Sequence, residues 1–322
     1  MGKIVLAFSG VLLYTALKWK ICSIEVDWMD FIIENGVLKQ YLGRASSVTV
    51  PKGVVSIGSY AFCDKGFLES VRLPEGLVSI GECAFSGCHN LNKMLLPESV
   101  KRIGAYAFEH CSQLADRDGF LIFRNCLFGY FGEAREPVIP DTVKEIATGA
   151  FLGCESMERI HIPDGVKSIG ALAFAHCGRM SMITLGSALR SIGYGAFLNC
   201  SSLKAITVPE GVERLEDLCF DGCTSLIHAL LPKSLRAIGN YAFSRCESLV
   251  EQTLPMCTDS IGKYAFCFCR RLEKVTIPRS VNHIGTDIFN NCKKPLILTE
   301  KGSYAHMLAG ELSMPVHFID PT

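Results

Sequence analysis

The chain has 322 residues, of which 49% are hydrophobic, and this is enough to bury a large core. Lysine and arginine together number 32, as do aspartate and glutamate, so the formal net charge is zero. This balance argues against a nucleic-acid-binding protein or a protein of anionic membrane surfaces, because both carry an excess of positive charge.

Residues 1–28 form an apolar N-terminal segment, with Lys3 before an apolar run from Ile4 to Leu17. A helix over this run is about 21 Å long, shorter than a hydrocarbon core of roughly 30 Å but suited to a signal peptide. No small-x-small cleavage site follows. Two interpretations stay open: the segment is a signal or anchor and the protein is secreted or membrane-anchored, or it lies outside a folded unit that begins near Met29 in a cytoplasmic protein.

Two segments of the chain resemble each other at an offset of 89 residues. "FIIENGVLKQYLGRASSVTVP" (Phe31–Pro51) shares Phe, Leu, Tyr, Gly, Ala and Pro positions with "FLIFRNCLFGYFGEAREPVIP" (Phe120–Pro140). We therefore predict a hairpin cap over residues 29–50 and an inserted unit of the same kind over residues 116–135.

A 23-residue repeat occupies the rest of the chain up to about residue 295. Most copies contain an Ala-Phe pair or its equivalent, a cysteine three residues later, then Leu or Met, a proline that ends a short apolar run, and an Ile-Gly segment. The first copy has Lys65 in place of the cysteine, and one copy has Gly186 in place of the proline. The phenylalanines are spaced by 23 residues except for one gap of 43. They are Phe62, Phe85, Phe108, Phe151, Phe174, Phe197, Phe220, Phe243, Phe266 and Phe289.

The copy "LKAITVP" shows how one repeat is expected to fold. Leu203, Ile206 and Val208 alternate with Thr207 as in a half-buried strand, which Pro209 ends because it cannot donate a ladder hydrogen bond. One such unit cannot bury its own apolar face, whereas stacked units share a continuous core. The prediction is a leucine-rich-repeat solenoid over residues 29–295: a right-handed superhelix with a parallel β-sheet on the concave face and short helical or 3-10 turns.

The repeat stops after Cys292, and residues 296–322 are predicted to be a C-terminal cap. A short helix from about Ser303 to Leu312 and a strand from Val316 to Ile319 are expected there. Such an element covers the last coil, which otherwise presents an apolar edge.

The repeat residues resemble the BspA-like class of leucine-rich repeats. "LEKVTIPRSVNHIG" (Leu272–Gly285) and "YAFSRCESL" (Tyr241–Leu249) follow its pattern closely, and the resemblance extends over about residues 29–319. It implies surface or secreted binding proteins of host-associated microbes and some protists, several of them adhesins toward host matrix proteins. The family has no shared catalytic residues to carry over, and the chain shows no C-terminal sorting motif.

The repeat cysteines are predicted to be structural. Zinc sites need clustered ligands, and disulfides need side chains that converge, whereas this spacing places one thiol in an equivalent orientation on every coil. A small apolar filler is the favoured role, and so many thiols fit a reducing or anaerobic environment. The ladder comprises Cys88, Cys111, Cys154, Cys177, Cys200, Cys223, Cys246, Cys269 and Cys292.

No catalytic, metal or cofactor site is predicted. His89, His110 and His176 flank ladder cysteines at the bends, but a Cys-His nucleophile also needs an orienting third group. The sequence contains no G-x-S-x-G, H-E-x-x-H, or Walker glycine loop.

The outward strand positions are the candidate binding residues, on the concave face where solenoids commonly bind partners. Exposed Leu95 and Leu230 favour contact with a partner, while the threonines are equally explained by β-propensity. The positions are Arg72, Leu95, His161, Thr184, Thr207, Leu230, Thr253 and Thr276.

Two classes of function remain. The favoured class is a non-enzymatic scaffold, of the cell-surface or secreted adhesin type, that binds a protein through the concave sheet. The alternative is a cytoplasmic regulatory repeat protein whose partner belongs to the same cell. Glycan binding ranks lower because the outward positions contain no tryptophan, and an enzyme ranks lowest. We expect a monomer that binds no nucleic acid and contacts membranes only through residues 1–28, if at all.

Overall fold

The computed structural model describes residues 30–320 and divides the chain into two compact units, with the division after Phe123. Each unit is a parallel-strand β-solenoid, which confirms the predicted fold class. The division falls within the segment 116–135 that was predicted to be an inserted unit. The apolar segment 1–28 lies outside the described residues.

The first unit begins with an antiparallel hairpin of β1 and β2, closed at Asn35 and Gly36, which have φ of 50° and 77°. Two parallel ladders follow, one formed by β2, β4, β6 and β8 and the other by β3, β5 and β7. The strands are β1 Phe31–Glu34, β2 Val37–Tyr41, β3 Ser47–Thr49, β4 Ser56–Ile57, β5 Ser70–Arg72, β6 Ser79–Ile80, β7 Lys93–Leu95, β8 Arg102–Ile103 and β9 Phe120–Phe123. A 3-10 turn, Ser112–Leu114, lies before β9.

The second unit repeats the same alternation of three-residue and two-residue strands. β10 Cys126–Tyr130 pairs in parallel with β11 Glu145–Ile146. The other two-residue strands are β13 Ser168–Ile169, β15 Ser191–Ile192, β17 Arg214–Leu215, β19 Ala237–Ile238, β21 Ser260–Ile261 and β23 His283–Ile284. The strands of the opposite ladder are β12 Arg159–His161, β14 Met182–Thr184, β16 Ala205–Thr207, β18 His228–Leu230, β20 Glu251–Thr253, β22 Lys274–Thr276, β24 Leu296–Thr299 and β25 Val316–Phe318.

Helix α1, Tyr304–Glu311, connects β24 to β25. It lies within the helix predicted from the sequence, and β25 occupies the predicted strand. The Ser303 hydroxyl accepts a hydrogen bond from the His306 amide at 3.1 Å, so that the helix begins with a side-chain N-cap.

A column of phenylalanine rings fills the core of each unit. Consecutive rings along the column stack with centroids 4.8–5.9 Å apart, and the column runs from Phe62 to Phe108 in the first unit and from Phe151 to Phe289 in the second. Tyr41 begins the first column and Tyr130 the second, each 5.3 Å from the next ring at an interplanar angle of 34°. The equivalent residues of neighbouring turns therefore form a common interior that no single turn has.

The bend around each phenylalanine carries a third ladder of backbone hydrogen bonds. In one turn the amides of Leu172, Phe174 and His176 donate to carbonyls of the next turn at 2.7–2.8 Å. Leu172 and His176 have φ of 53° and 61°. The equivalent two positions have positive φ in all the other turns as well. This left-handed backbone is unfavourable for residues other than glycine, and the inter-turn ladder stabilises it.

The glycine of the Ile-Gly segment allows neighbouring backbones to approach closely. A Cβ atom on Gly193 would lie 2.5 Å from the Ala171 amide nitrogen and 2.7 Å from the Gly170 carbonyl carbon. The same position is equally crowded by backbone at Gly81, Gly170 and Gly262. At these glycines a Cβ atom requires the backbone of the preceding turn to move, although Ala147 and Glu216 are accommodated at the equivalent position of two other turns.

We expect Gly193→Ala to lower the free energy of unfolding by about 1–3 kcal/mol, since the added methyl group must displace the backbone of the preceding turn. Gly178→Ala is the matched control, because the nearest atom to its Cβ is the Ser201 hydroxyl at 3.6 Å. Urea denaturation of the full chain measures both variants. Equal stabilities would contradict the close approach.

Candidate functional site

The predicted outward residues lie on one side of the three-residue strands, which we call the strand face. In β16 the Ile206 side chain is buried while Thr207 is exposed, and Val208 after it is buried again. The other predicted positions are exposed in the same way, except that Thr276 is half-buried. The strand face is therefore the polar side of a half-buried ladder.

Parallel pairing aligns the predicted residues of each unit in register. Arg72 pairs with Leu95 in the first unit. In the second unit His161 pairs with Thr184, Thr207 with Leu230, and Thr253 with Thr276. Neighbouring residues in such a ladder are about 4.8 Å apart, so their side chains form a continuous surface.

Large apolar side chains on the strand face are unusually exposed. Leu95 is 88% exposed and Leu230 is 65% exposed, as their register in the sequence indicated. Val138 is 83% exposed and forms a bridge with His161, which places it in the same row. Met182, two residues before Thr184 in the same strand, is 56% exposed.

Sequence reasoning missed Val138 and Met182. Val138 stands two residues before Pro140, as Thr207 stands before Pro209, but it was assigned to the neighbourhood of the inserted unit and left out of the register. Met182 lies two residues before Thr184, so the alternation of the strand places it on the same face, but only one outward position in each strand was considered.

The charged side chains beside the strand face form ion pairs with each other. Glu158 lies 3.2 Å from Arg135 and 3.7 Å from Arg179. The Lys274 ammonium lies 2.7 Å from Glu251, and this contact lowers the pKa of the Glu251 carboxyl. These pairs are solvent-exposed and contribute little to stability, but they neutralise much of the local charge.

The ladder cysteines do more than fill space. The Cys200 thiol donates to the Phe174 carbonyl at 3.1 Å, and seven other ladder thiols make the equivalent contact at 3.0–3.3 Å. Only Cys154 differs, with its sulfur 4.0 Å from the Tyr130 carbonyl. Each thiol thus links the backbone of two turns, a role that the sequence prediction of an apolar filler did not include.

A hydrogen bond with the Cys269 thiol lowers the pKa of Cys292, but burial keeps the other ladder thiols protonated. Burial raises the pKa of Cys88 and of Cys154 to about 12, and it raises the pKa of Cys200 well above its ordinary value. A protonated thiol is a poor nucleophile and metal ligand. His89, His110 and His176 are exposed at the bends, and the rings of His89 and His110 lie 6.0 Å apart.

Residues 30–320 contain no cluster of three or more His, Cys, Asp or Glu side chains arranged to hold a metal ion. In that part of the chain, no helix combines the length and the apolar character that crossing a membrane requires.

Comparison with known proteins places these features in a family. A model of the BspA type leucine rich repeat region matches residues 32–118, 122–250 and 173–296, in 6 copies. No curated protein matches the chain significantly by sequence.

Solved structures of bacterial repeat proteins resemble the chain. A leucine-rich repeat protein from Bacteroides ovatus is 26% identical, with 85% of this chain and 84% of that chain covered and a TM-score of 0.51. A leucine rich repeat protein of T. pallidum is 28% identical, with 66% and 82% covered and a TM-score of 0.34. A leucine rich cell surface protein from Faecalibacterium prausnitzii is 24% identical, with 92% and 98% covered and a TM-score of 0.35.

The raised thiol pKa values predict a loss of stability at alkaline pH. The unfolded thiols ionise near their ordinary pKa of 9.0, whereas the folded Cys88 and Cys154 thiols ionise only near 12. Stability is therefore complete below about pH 9 and falls above it, by about 1.4 kcal/mol for each such thiol between pH 8 and pH 10.

Urea denaturation midpoints under reducing conditions, measured from pH 8 to pH 10, test this dependence. Cys88→Ala should reduce the slope of the urea midpoint against pH. Cys257→Ser should leave this slope unchanged, because Cys257 is exposed. A midpoint that stays constant up to pH 10 would show that the thiols ionise normally in the folded state.

Proposed function

The chain belongs to the BspA-type leucine-rich repeat family, and from this premise we propose that it is a non-enzymatic scaffold that binds a protein partner through the strand face. The observation that carries the proposal is the exposure of Leu95 on the strand face of the first unit and of Val138 and Leu230 on the strand face of the second unit. Large apolar side chains in water are stabilised when a partner covers them, and repeat solenoids commonly bind along such extended surfaces.

A role without catalysis agrees with the chemistry of the reactive groups. The buried thiols are held protonated and donate hydrogen bonds to backbone carbonyls. They therefore stabilise the fold and are poor nucleophiles. The threonines and leucines of the strand face offer shape and apolar contact rather than acid–base chemistry.

The favoured form of this function is a cell-surface or secreted protein of the adhesin type. This form is supported by the apolar run from Ile4 to Leu17, within residues 1–28, because the run has the length of a signal-peptide core. The alternative is a partner within the same cell. It is supported by the cysteines of the described region, which are free thiols, since thiols persist in reducing compartments.

Cell fractionation with N-terminal sequencing separates the two forms. An exported protein should be recovered outside the cytoplasm, either processed within residues 1–28 or anchored through them. A mature chain that begins near Met29 and remains in the cytoplasm would reject the adhesin form and leave the same-cell partner.

The triple variant Thr207→Glu, Leu230→Glu, Thr253→Glu tests the strand face. We expect it to weaken partner capture at least about tenfold, because three carboxylates would have to be desolvated against the partner. The fold should stay intact, since all three side chains are exposed. Affinity capture from native extracts with the full chain, followed by measurement of binding to the captured protein, gives the comparison.

A control variant carries the same change in charge on other surfaces: Leu152→Glu, Ser191→Glu, Asn282→Glu. These side chains are exposed but do not lie on the strand face. Equal binding by the triple variant and this control, with unchanged circular dichroism, would exclude the strand face as the binding surface.

A further inference from the structure

The middle of the strand face in the second unit is apolar, and charged residues lie on both sides of it. We call it the central patch and define it as Met182, Thr184, Ala205, Thr207, Ile227 and Leu230, all exposed. Its apolar members come from three consecutive turns. Among them, Met182, Leu230 and Ile227 are 56%, 65% and 39% exposed.

Backbone contacts hold these three turns side by side. In strands β16 and β18, Ala205 pairs with His228 and Thr207 with Leu230. The Ile227 amide donates to the Lys204 carbonyl at 2.8 Å, and the Lys204 amide donates to the Ser181 carbonyl at 3.5 Å. Ser181, Lys204 and Ile227 therefore lie in one row, and Met182, Ala205 and the exposed His228 lie in the next row. The patch is thus one contiguous surface that includes an imidazole at its edge.

Most of the charges beside the central patch are paired, although Arg135 and Arg179 share one carboxylate, that of Glu158, and leave one excess positive charge on the N-terminal side. On the N-terminal side Arg159 lies 3.3 Å from Glu136, and Glu158 lies between Arg135 and Arg179. On the C-terminal side Glu251 pairs with Lys274. An apolar centre with a polar rim is the usual anatomy of a protein–protein interface.

Lys204 is the exception within this arrangement. Its side chain is exposed between Ser181 and Ile227, and no carboxylate of residues 30–320 lies within ion-pair distance of its ammonium group. The Lys204 ammonium therefore lies beside exposed apolar side chains without a carboxylate partner among the described residues.

Resting on the proposed function, we propose that the central patch binds a protein segment in which apolar side chains are followed or preceded by a carboxylate. The apolar side chains cover Met182, Ile227 and Leu230, and the carboxylate pairs with Lys204. A basic segment is disfavoured because it meets the Lys204 charge, and a wholly apolar one leaves that ammonium partly desolvated without a partner.

Selection of a displayed random peptide library on the full chain tests this chemistry. We expect the enriched peptides to combine apolar residues with Asp or Glu. A synthetic peptide of this kind should lose at least about fivefold in affinity toward Lys204→Glu and at least about tenfold toward Leu230→Glu. Exchange of its carboxylate residue for lysine should restore binding to Lys204→Glu, which separates a charge contact from a loss of folding.

Lys167→Glu and Leu152→Glu are the matched controls, since both residues are exposed away from the strand face. They should change the affinity by less than about twofold. Enriched peptides that lack acidic residues, or that bind Lys204→Glu as well as the natural chain, would overturn the inference. If those peptides still lose binding to the triple glutamate variant, the proposed function stands. Peptides that bind the triple variant unchanged, or no enrichment at all, would count against both.

Discussion

Contact between equivalent residues 23 positions apart is the constraint on which this fold depends. A single turn has no interior of its own, so each phenylalanine ring is buried only because the rings of the neighbouring turns stack on it. The thiol of the following cysteine then donates to the phenylalanine carbonyl of the previous turn. Ring and thiol together fix the distance between turns, and at this distance a Cβ on Gly193 requires the backbone of the preceding turn to move.

The same constraint separates the chemistry of the interior from that of the strand face. Inside, burial raises the pKa of the Cys88 and Cys154 thiols to about 12, and their reactivity is lost to the fold. Outside, alternate strand residues such as Thr207 and Leu230 are exposed and lie away from the stacked rings. Recognition in this protein is therefore expected to depend on side chains that a rigid ladder presents at regular intervals.

Much of the fold could be predicted because the repeat makes each position visible many times. The alternation of Ile206, Thr207 and Val208 identified the buried and exposed sides correctly. Features that break the period could not be seen. Val138 follows an irregular stretch, and the bidentate contact of the Arg245 guanidinium with the buried Asp221, at 2.6 and 2.9 Å, occurs in one turn only. The positive φ of Leu172 was also hidden, since leucine does not favour it and the inter-turn ladder maintains it, whereas glycine, asparagine or aspartate occupies the position of His176 in several other turns.

The recurrence of a tyrosine at the start of each ring column has a further consequence. The Tyr41 hydroxyl accepts from the Ala45 amide at 3.2 Å, and the Tyr130 hydroxyl accepts from the Ala134 amide at 3.1 Å. At Tyr41 and Tyr130 a hydroxyl therefore ties the loop that follows, residues 42–45 and 131–134, to the first ring of each phenylalanine column. Lengthening or shortening the protein in evolution need not begin at a chain terminus. An array of turns that begins with its own tyrosine and hydrogen-bonded loop can be copied, moved or joined as a whole.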